Sequence, residues 1–354
     1  MKLDDVLAGI KRVETEWVDK AAERTASLAI PPRALGRLHD LAERLCGIRE
    51  TLDINLDSKA VLVMAGDHGV AGEGTSAFPQ EVTGAMVQTF LAGGAGINAI
   101  SRHVGARVVV VDVGIIPDIP LPDSGSAQNF YVEKVGRGTA SFTKGPAMSV
   151  EDARKSIMVG FHRASALFQE GVAILGTGDM GIGNTTPSAA IGALLTGKSI
   201  DEMTGPGTGL DDAGMVRKKE IIRQGLELNK PNPADGIDVL SKVGGFEIGA
   251  IAGIILAAAH HKRPVMVDGF ISTAGALIAH ALNPAVVDYI FAGHCSEEPG
   301  HRHMLSYLGL DPILNLGLRL GEGTGGVLAM DVMDAAVKVF KEVMTFDEAG
   351  VPDK

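Results

Sequence analysis

The sequence predicts an α/β protein built on a parallel sheet, and two observations support this fold class. Five short apolar runs each end in glycine or a polar residue: KAVLVMAGDHG from Lys59, ARVVVVDVG from Ala106, GVAILGTGDMG from Gly171, RPVMVDGF from Arg263 and AVVDYIFAGH from Ala285. Their apolar residues are continuous rather than alternating, which is typical of strands covered on both faces. Helix-like stretches separate most of them, so right-handed crossovers are expected, with a ligand crevice at the carboxyl ends of the strands.

The composition indicates a globular protein with a large hydrophobic core. The chain has 354 residues, of which 45% are hydrophobic, and its 46 glycines are scattered between the apolar runs, as strand-to-helix turns require. The formal net charge of -11 opposes the broad positive field that nucleic acid or an anionic membrane needs, so neither is expected as a partner.

Both ends of the chain are predicted to be helical. Leu3, Val6 and Ile10 have helical spacing, the first 55 residues are more charged than the rest, and the segment 331–342 also has a helical pattern. We therefore predict a small helical domain formed by residues 1–55 and 331–354. Residues 56–330 would form a large α/β domain that carries the active site.

The sequence favours a cytoplasmic protein. Acidic residues at Asp4 and Asp5 stand where a signal peptide would be apolar, and the apolar run 248–259 is too short to span a bilayer, so it is predicted to be a buried helix. Cys46 and Cys295 are the only cysteines, which excludes a disulfide framework and fits a reducing compartment.

GTGDMG, residues 176–181, matches the dinucleotide fingerprint, and Asp201 lies at about the expected distance beyond it. The fingerprint needs its last glycine inside the opening helix. Here further residues intervene before Pro187, which we predict as the first helical residue, capped by Thr186. Dinucleotide binding is therefore the minority interpretation.

GALLTGKS, residues 192–199, satisfies the pattern of a phosphate-binding loop. That loop must leave a strand and enter a helix, whereas this stretch is predicted to end a helix, with Gly197 as its C-terminal cap. The ordinary helix end is the better interpretation.

Two clusters of polar residues are ambiguous. GHCSEEPGHRH, residues 293–303, holds three histidines and Cys295, but their spacing matches no common metal motif, so a polar loop that presents Ser296 to a ligand is favoured over a metal site. GDHG, residues 66–69, would supply either an acid–base pair or a capped turn near the site, and we favour the turn.

Three glycine loops carry few but definite polar groups. GTGDMGIGNTT offers backbone amides, Asp179 and a helix N-terminus, while GPGTGLDD from Gly205 offers further amides and is followed by Lys218. Glycine amides, a helix end and a lysine are what a phosphomonoester needs. A single lysine in a charged run is usually solvated, but the preceding glycine loop favours a phosphate role for Lys218. The third loop, LGLRLGEGTGG, holds one carboxylate, Glu322.

Six segments in this order resemble the nicotinate-nucleotide:dimethylbenzimidazole phosphoribosyltransferase family: GDHGV, GDMGIGNTT, GPGTGLDD, VDGFISTAGALIA, SEEPGH and LGLRLGEGTGG. The resemblance covers nearly the whole chain. It implies a Rossmann-like parallel sheet with a small helical domain from both chain ends, a homodimer, no metal and no other cofactor. It also implies the transfer of phosphoribose from nicotinate mononucleotide to a benzimidazole, as in the synthesis of the lower nucleotide of cobamides.

The resemblance assigns roles residue by residue. Glu322 matches the family's catalytic base, and Asp179 stands where many members have glutamate, so its side chain is one methylene shorter. The phosphate and ribose contacts correspond to Gly205, Gly207, Thr208, Lys218 and Ser296. The benzimidazole pocket corresponds to Phe78, Gln80, Met180 and Leu320.

Two functions remain open besides this phosphoribose transfer. A phosphorylase or phosphatase-like transferase would use the same phosphate cradle, and a protein that only binds nucleotides or cobamide precursors would not need Glu322. The natural base is equally open among dimethylbenzimidazole, hydroxybenzimidazole, adenine and a phenol.

Overall fold

A computed structural model describes residues 1–120 and 129–352. Six strands form one parallel sheet in the order β3-β2-β1-β4-β5-β6. The strands are β1 Lys59–Gly66, β2 Ala106–Gly114, β3 Phe130–Val132, β4 Ile174–Met180, β5 Val265–Val267 and β6 Ile290–Ala292. The five apolar runs predicted as strands are confirmed. The strand β3 was not predicted, because three residues are too few to show a pattern.

The centre of the sheet is the point where the chain changes direction. From β1 it passes outward to β2 and β3, and it then returns to β4 on the other side of β1. Every residue of β1 is buried, as the continuous apolar run predicts for a strand covered on both faces. Loops diverge from the carboxyl ends of β1 and β4 at such a point, and a crevice forms between them.

Helices cover both faces of the sheet and build the two ends of the chain. They are α1 Leu3–Gly9, α2 Glu16–Ser27, α3 Arg37–Arg49, α4 Val82–Leu91, α5 Gly96–Val104, α6 Val150–Gln169, α7 Thr185–Thr196, α8 Ile200–Met203, α9 Asp212–Asn229, α10 Gly236–Val243, α11 Phe246–His260, α12 Phe270–Leu282, α13 Pro299–Leu308, α14 Thr324–Glu342 and α15 Phe346–Ala349. The predicted buried helix is confirmed, since α11 is buried from Phe246 to Ala259. None of the helices in the described ranges is both long and apolar enough to cross a membrane.

The two ends of the chain contact each other. Arg24 in α2 donates a hydrogen bond from Nε to the carbonyl oxygen of Phe340 in α14, at 3.0 Å, and Leu28 forms an antiparallel bridge with Thr345. The helix α14 runs without a break across residue 330, where the predicted small domain was to begin. That the two ends form a domain of their own stays a prediction.

Candidate active site

A cavity of about 460 Å³ lies at the carboxyl ends of the strands. The loops that follow β4, β5 and β6 form part of its wall, and parts of the two glycine loops, 207–208 and 319–322, and of the segment 78–86 form the rest. Its apolar lining includes Phe78, Val82, Met86, Met180, Ile182 and Leu320. Its polar lining includes Asp179, Thr208, Ser296, Glu298, Arg319 and Glu322. An apolar cavity with a few converging polar groups is the usual form of a small-molecule site.

Glu322 is a buried carboxylate with one oxygen held and one oxygen available. Its side chain lines the cavity although the residue is only 4% exposed. Oε2 accepts a hydrogen bond from the backbone amide of Ile97 at 2.9 Å, in the first turn of α5, while Oε1 has no partner within the described residues. Burial raises the pKa of Glu322, with a smaller rise from nearby Asp268, and the Ile97 hydrogen bond offsets part of the rise.

The glycines around Glu322 are required by close approach and by backbone conformation. Gly321, Glu322 and Gly323 all have positive φ, of 81°, 63° and 93°. A Cβ atom at residue 323 would lie 2.6 Å from Cγ2 of Val61, so the loop rests directly on β1. This explains how a lone acid comes to occupy a glycine-rich loop: the loop presses its backbone onto the sheet and thereby brings Glu322 to the crevice.

A second carboxylate, Asp268, fixes the start of the helix that follows Glu322. It comes directly after β5, and its Oδ2 and Oδ1 accept hydrogen bonds from the backbone amides of Gly323 and Gly326 at 3.1 and 2.8 Å. Anionic groups are stabilised at helix N-termini, where backbone amides lack partners within the helix. Sequence analysis did not identify Asp268, since nothing in VDGF shows that it contacts a loop 55 residues further along the chain.

Asp179 reaches the same cavity from the end of β4. Its Oδ2 accepts a hydrogen bond from Nδ2 of Asn184 at 3.1 Å, and its buried Oδ1 has no partner in the described residues. Burial, and then the nearby carboxylates of Asp268 and Glu247, raise the pKa of Asp179 well above its usual value. The surroundings therefore shift the equilibrium of Asp179 toward the neutral acid, and a cation placed beside it would shift that equilibrium back toward the carboxylate.

Hydroxyl and amide groups gather where the sequence predicts a phosphate. Thr208 lines the cavity, and its Oγ1 accepts a hydrogen bond from the amide of Ala77 at 3.1 Å. Ser296 also lines the cavity; its Oγ accepts from the amide of Glu298 at 3.3 Å, which leaves its own proton to donate to a ligand. The Gly207 amide donates to Oε1 of Glu298 at 2.9 Å.

Lys218 lies behind this wall rather than in it. It is fully buried, and its Nζ donates to Oγ1 of Thr185 at 2.8 Å and to the carbonyl oxygen of Gly205 at 2.9 Å. Burial lowers the pKa of Lys218 to about 8. Gly205 does not line the cavity either, because its carbonyl is directed at Lys218; a Cβ atom there would lie 2.1 Å from Oε2 of Glu298.

Three of the four residues expected to bind the base line the cavity. Phe78 and Leu320 are large apolar side chains that are 53% and 61% exposed, and Met180 accompanies them. The fourth, Gln80, is absent from the lining because its Nε2 donates to the carbonyl oxygen of His68 at 3.3 Å. It therefore connects two loops at the edge of the site.

Gly176 and Gly178 of GTGDMG lie within the strand β4, which ends at Met180, and only Gly181 lies in the connection to the next helix, so the segment does not form the glycine turn of the dinucleotide fingerprint. A Cβ atom at Gly178 would lie 2.5 Å from the carbonyl oxygen of Glu322, which gives this glycine a packing role instead. The prediction that the next helix begins at Pro187 with Thr186 as its cap is wrong. The helix α7 begins at Thr185 after Asn184, because Pro fits any position in a helix's first turn.

The structure assigns no catalytic role to the remaining motifs. GALLTGKS ends α7, with Gly197 at φ 70° as the predicted cap. Asp67 of GDHG accepts a hydrogen bond from the amide of Ile116, 49 residues further along the chain, at 2.8 Å, so it joins two loops rather than capping its own turn. His68 pairs with buried Glu247 at 2.7 Å. No group of three or more histidine, cysteine or acidic residues in the described ranges is arranged to hold a metal ion.

Sequence reasoning did not identify Glu298, Arg319 or His294 as parts of the wall. Glu298 and Arg319 belong to the motifs SEEPGH and LGLRLGEGTGG, and their closeness in sequence to Ser296 and Glu322 could have indicated that they line the cavity. His294 lies just beyond β6, and the rule that ligands bind beyond the carboxyl ends of strands was the signal for it.

Known proteins resemble this chain over nearly its whole length. A family model described as Phosphoribosyltransferase matches residues 10–351. The nicotinate-nucleotide--dimethylbenzimidazole phosphoribosyltransferase of Geotalea uraniireducens is 52% identical over 352 residues, which cover 99% of this chain and 98% of that protein. The enzyme of the same name from Desulforudis audaxviator is 53% identical over 331 residues, covering 94% and 92%.

A solved structure gives the same result for the fold. The crystal structure of CobT from Thermus thermophilus superimposes with a TM-score of 0.90 at 44% sequence identity, over 96% of this chain and 100% of that chain. Together with the cavity, the buried Glu322 and the ordered set of motifs, these similarities show that the chain belongs to the nicotinate-nucleotide:dimethylbenzimidazole phosphoribosyltransferase family.

Proposed function

We propose that the protein transfers phosphoribose from nicotinate mononucleotide to 5,6-dimethylbenzimidazole or a related base, and releases nicotinate and the α-ribotide 5'-phosphate. The observation that carries this proposal is the state of Glu322. One oxygen of a buried carboxylate is fixed by the Ile97 amide, and the other is available in a cavity with apolar side chains. A protein that only binds nucleotides would not need such an acceptor.

The hydroxyl groups of Thr208 and Ser296 suit the phosphate of the mononucleotide. Arg319 lines the same cavity and adds a positive charge. Lys218 acts from behind the loop: its Nζ holds the Gly205 carbonyl and Thr185, so it fixes the loop and contributes its charge without lining the cavity. Anchoring the phosphate away from the reacting carbon supplies orientation.

A flat benzimidazole suits the apolar lining provided by Phe78, Met180 and Leu320. Leu320 and Glu322 lie two residues apart, and both side chains come close to the start of α5: a Cβ atom at Gly96 would lie 2.8 Å from Cδ2 of Leu320 and 3.3 Å from Oε2 of Glu322. A base packed on Leu320 is therefore within reach of the carboxylate that must accept its proton.

The proposed reaction needs no general acid. The attacking nitrogen of the benzimidazole forms a bond to C1' of the ribose while the bond from C1' to the pyridinium nitrogen breaks, and its electron pair stays on the departing nicotinate as a neutral ring nitrogen. The benzimidazole gains positive charge, its remaining N–H becomes more acidic, and Glu322 accepts that proton. Because the hold of Glu322 on this proton strengthens as the charge develops, it stabilises the transition state more than the ground state.

Asp179 is proposed to act on the sugar. Attack from the face opposite the nicotinate converts the β-nucleotide into the α-product, and C1' carries positive charge at the transition state. The burial that favours neutral Asp179 in the free protein is opposed when a cation is bound nearby, so the carboxylate form then becomes available to stabilise it. Family resemblance further leads us to propose a cytoplasmic homodimer.

Nicotinate release tests this function directly. The purified protein is incubated with nicotinate mononucleotide, with and without dimethylbenzimidazole, and nicotinate and the ribotide are separated by chromatography. We expect release that requires the base and equals the ribotide formed. Release without any base would indicate hydrolysis, and binding without release would indicate a sensor. Competition between dimethylbenzimidazole, hydroxybenzimidazole, adenine and a phenol then identifies the preferred base.

A further inference from the structure

We propose that His301 is a positioning residue for the mononucleotide, and that it holds the Ser296 end of the cavity in register with the Gly269 end through two directed hydrogen bonds. This inference rests on the proposed function, in which Ser296 contacts the phosphate. His301 lies in the first turn of α13 and is fully buried. It does not line the cavity itself, whereas Ser296 and Gly269 both do.

The first hydrogen bond fixes the protonation state of the imidazole. Nδ1 of His301 lies 2.9 Å from the backbone nitrogen of Ser296. A backbone amide can only donate, so Nδ1 must be the unprotonated acceptor and the ring must be neutral with its proton on Nε2. Burial, and the neighbouring His294, lower the pKa of His301 to about 3, which agrees with a neutral ring.

The second hydrogen bond connects His301 to the neighbouring helix α12. Nε2 of His301 lies 2.9 Å from Oγ1 of Thr273 in α12, and with the proton on Nε2 the histidine is the donor. The hydroxyl of Thr273 is then free to donate, and its acceptor is the carbonyl oxygen of Gly269 at 2.8 Å. Each of the three hydrogen bonds thus has one direction: the Ser296 amide donates to His301, His301 donates to Thr273, and Thr273 donates to Gly269.

This series of hydrogen bonds joins the first turns of α12 and α13, the two helices that follow the adjacent strands β5 and β6. Gly269 precedes α12 and Ser296 precedes α13, so the distance between these two parts of the cavity wall depends on His301. The Ser296 amide is also satisfied without the ligand, which leaves only the Ser296 hydroxyl to face the phosphate. A phosphate held by a hydroxyl needs that hydroxyl placed to within a fraction of an ångström.

Two substitutions at this position separate the two hydrogen bonds. In His301→Asn the amide oxygen can occupy the place of Nδ1 and still accept from Ser296, whereas the bond to Thr273 is lost. In His301→Gln the longer amide reaches Thr273 but leaves the Ser296 amide buried without an acceptor, which is costly. Because either substitution breaks the series that joins Ser296 to Gly269, we expect the dissociation constant for nicotinate mononucleotide to rise severalfold in His301→Asn and about tenfold in His301→Gln, in which the Ser296 amide also loses its acceptor, with that for dimethylbenzimidazole unchanged in both.

A second pair protects the test against a variant that does not fold. Thr273→Val keeps the shape of the side chain but removes its hydroxyl, and Thr273→Ser keeps the hydroxyl. We expect Val to weaken mononucleotide binding severalfold and Ser to restore it, with circular dichroism and melting temperature confirming that each variant is folded.

Mononucleotide binding that is unchanged in either His301 variant, or a parallel loss of benzimidazole binding, would overturn the inference and leave His301 an ordinary core residue. Because these measurements are of binding alone, they stay informative if the wild-type protein binds the mononucleotide but releases no nicotinate. That separate outcome would contradict the proposed function instead.

Discussion

The carboxylate of Glu322 accepts a hydrogen bond from the backbone amide of Ile97 across a gap of 225 residues, with 2.9 Å between Oε2 and the nitrogen. The contact sets the orientation of the side chain and leaves Oε1 for a ligand. It also places the acid at the N-terminus of α5, where the helix favours negative charge. Burial acts in the opposite direction and dominates, so the pKa of Glu322 is raised.

This balance predicts the pH dependence of the reaction. Glu322 must be unprotonated to accept a proton, so kcat/KM is expected to fall as the pH is lowered through the pKa of Glu322. Because that pKa is raised, the midpoint of the acid limb should lie above 4.5, the ordinary glutamate value. The profile of Glu322→Gln should lack this limb. A midpoint at or below the ordinary value, or an unchanged limb in the variant, would assign the titration to another group.

Lys218 is predicted to support mononucleotide binding. Lys218→Met keeps the apolar stem but removes the ammonium that holds Gly205 and Thr185, so the dissociation constant for nicotinate mononucleotide should rise by about 10- to 100-fold. Binding of dimethylbenzimidazole should change much less. The matched control is Lys219→Met. Lys219 lies away from the cavity, and its Nζ forms an ion pair with Oδ1 of the exposed Asp201 at 2.7 Å. Equal effects of the two substitutions would remove Lys218 from the phosphate site.

Arg319 is predicted to bind an anionic group of the same substrate. It lines the cavity and is exposed, so Arg319→Gln should raise the KM for nicotinate mononucleotide about tenfold while the protein keeps its melting temperature. The control is Arg302→Gln, an exposed arginine of α13 that is outside the lining. A KM that does not change in Arg319→Gln would show that the cation does not meet the substrate.

Asp179 is predicted to act in the chemical step. Asp179→Asn keeps the size of the side chain and its contact with Asn184, but it removes the ability to become negative when the sugar becomes positive. We expect kcat to fall about 10²-fold, with little change in the binding of either substrate. A rate within severalfold of the wild type would mean that Asp179 only shapes its loop.

Continuous apolar runs predicted the sheet well, because strands such as β1 and β4 are buried on both faces and their composition records that environment. The helix α11 was predictable for the same reason. The start of α7 was misplaced by two residues, from Thr185 to Pro187, because capping residues and proline are compatible with several registers of a helix's first turn. The strand β3 has only three residues and left no periodic signal.

The candidate site was predictable from the sequence only as a set of motifs. Asp268 and Ile97, which hold the Glu322 loop, are 54 and 225 residues away from Glu322 along the chain, and no local pattern records such contacts. Lys218 stands in the charged run Arg217–Lys219, and only the packing of α9 shows that it alone faces inward. The placements of Gly205 and Gln80 beside the cavity rather than in its wall likewise depend on which way a carbonyl and an amide point.

The central claim is that Glu322 accepts a proton from the attacking base, and Glu322→Gln tests it most directly. The amide keeps the size of the side chain, so both substrates should bind, while transfer to dimethylbenzimidazole should fall by about 10²- to 10⁴-fold. The decisive measurement repeats the comparison with an N-methylated benzimidazole, which has no proton to lose. We predict a much smaller loss for that base, whereas an equal loss with both bases would show that Glu322 acts through its charge or its structural role and not as a base.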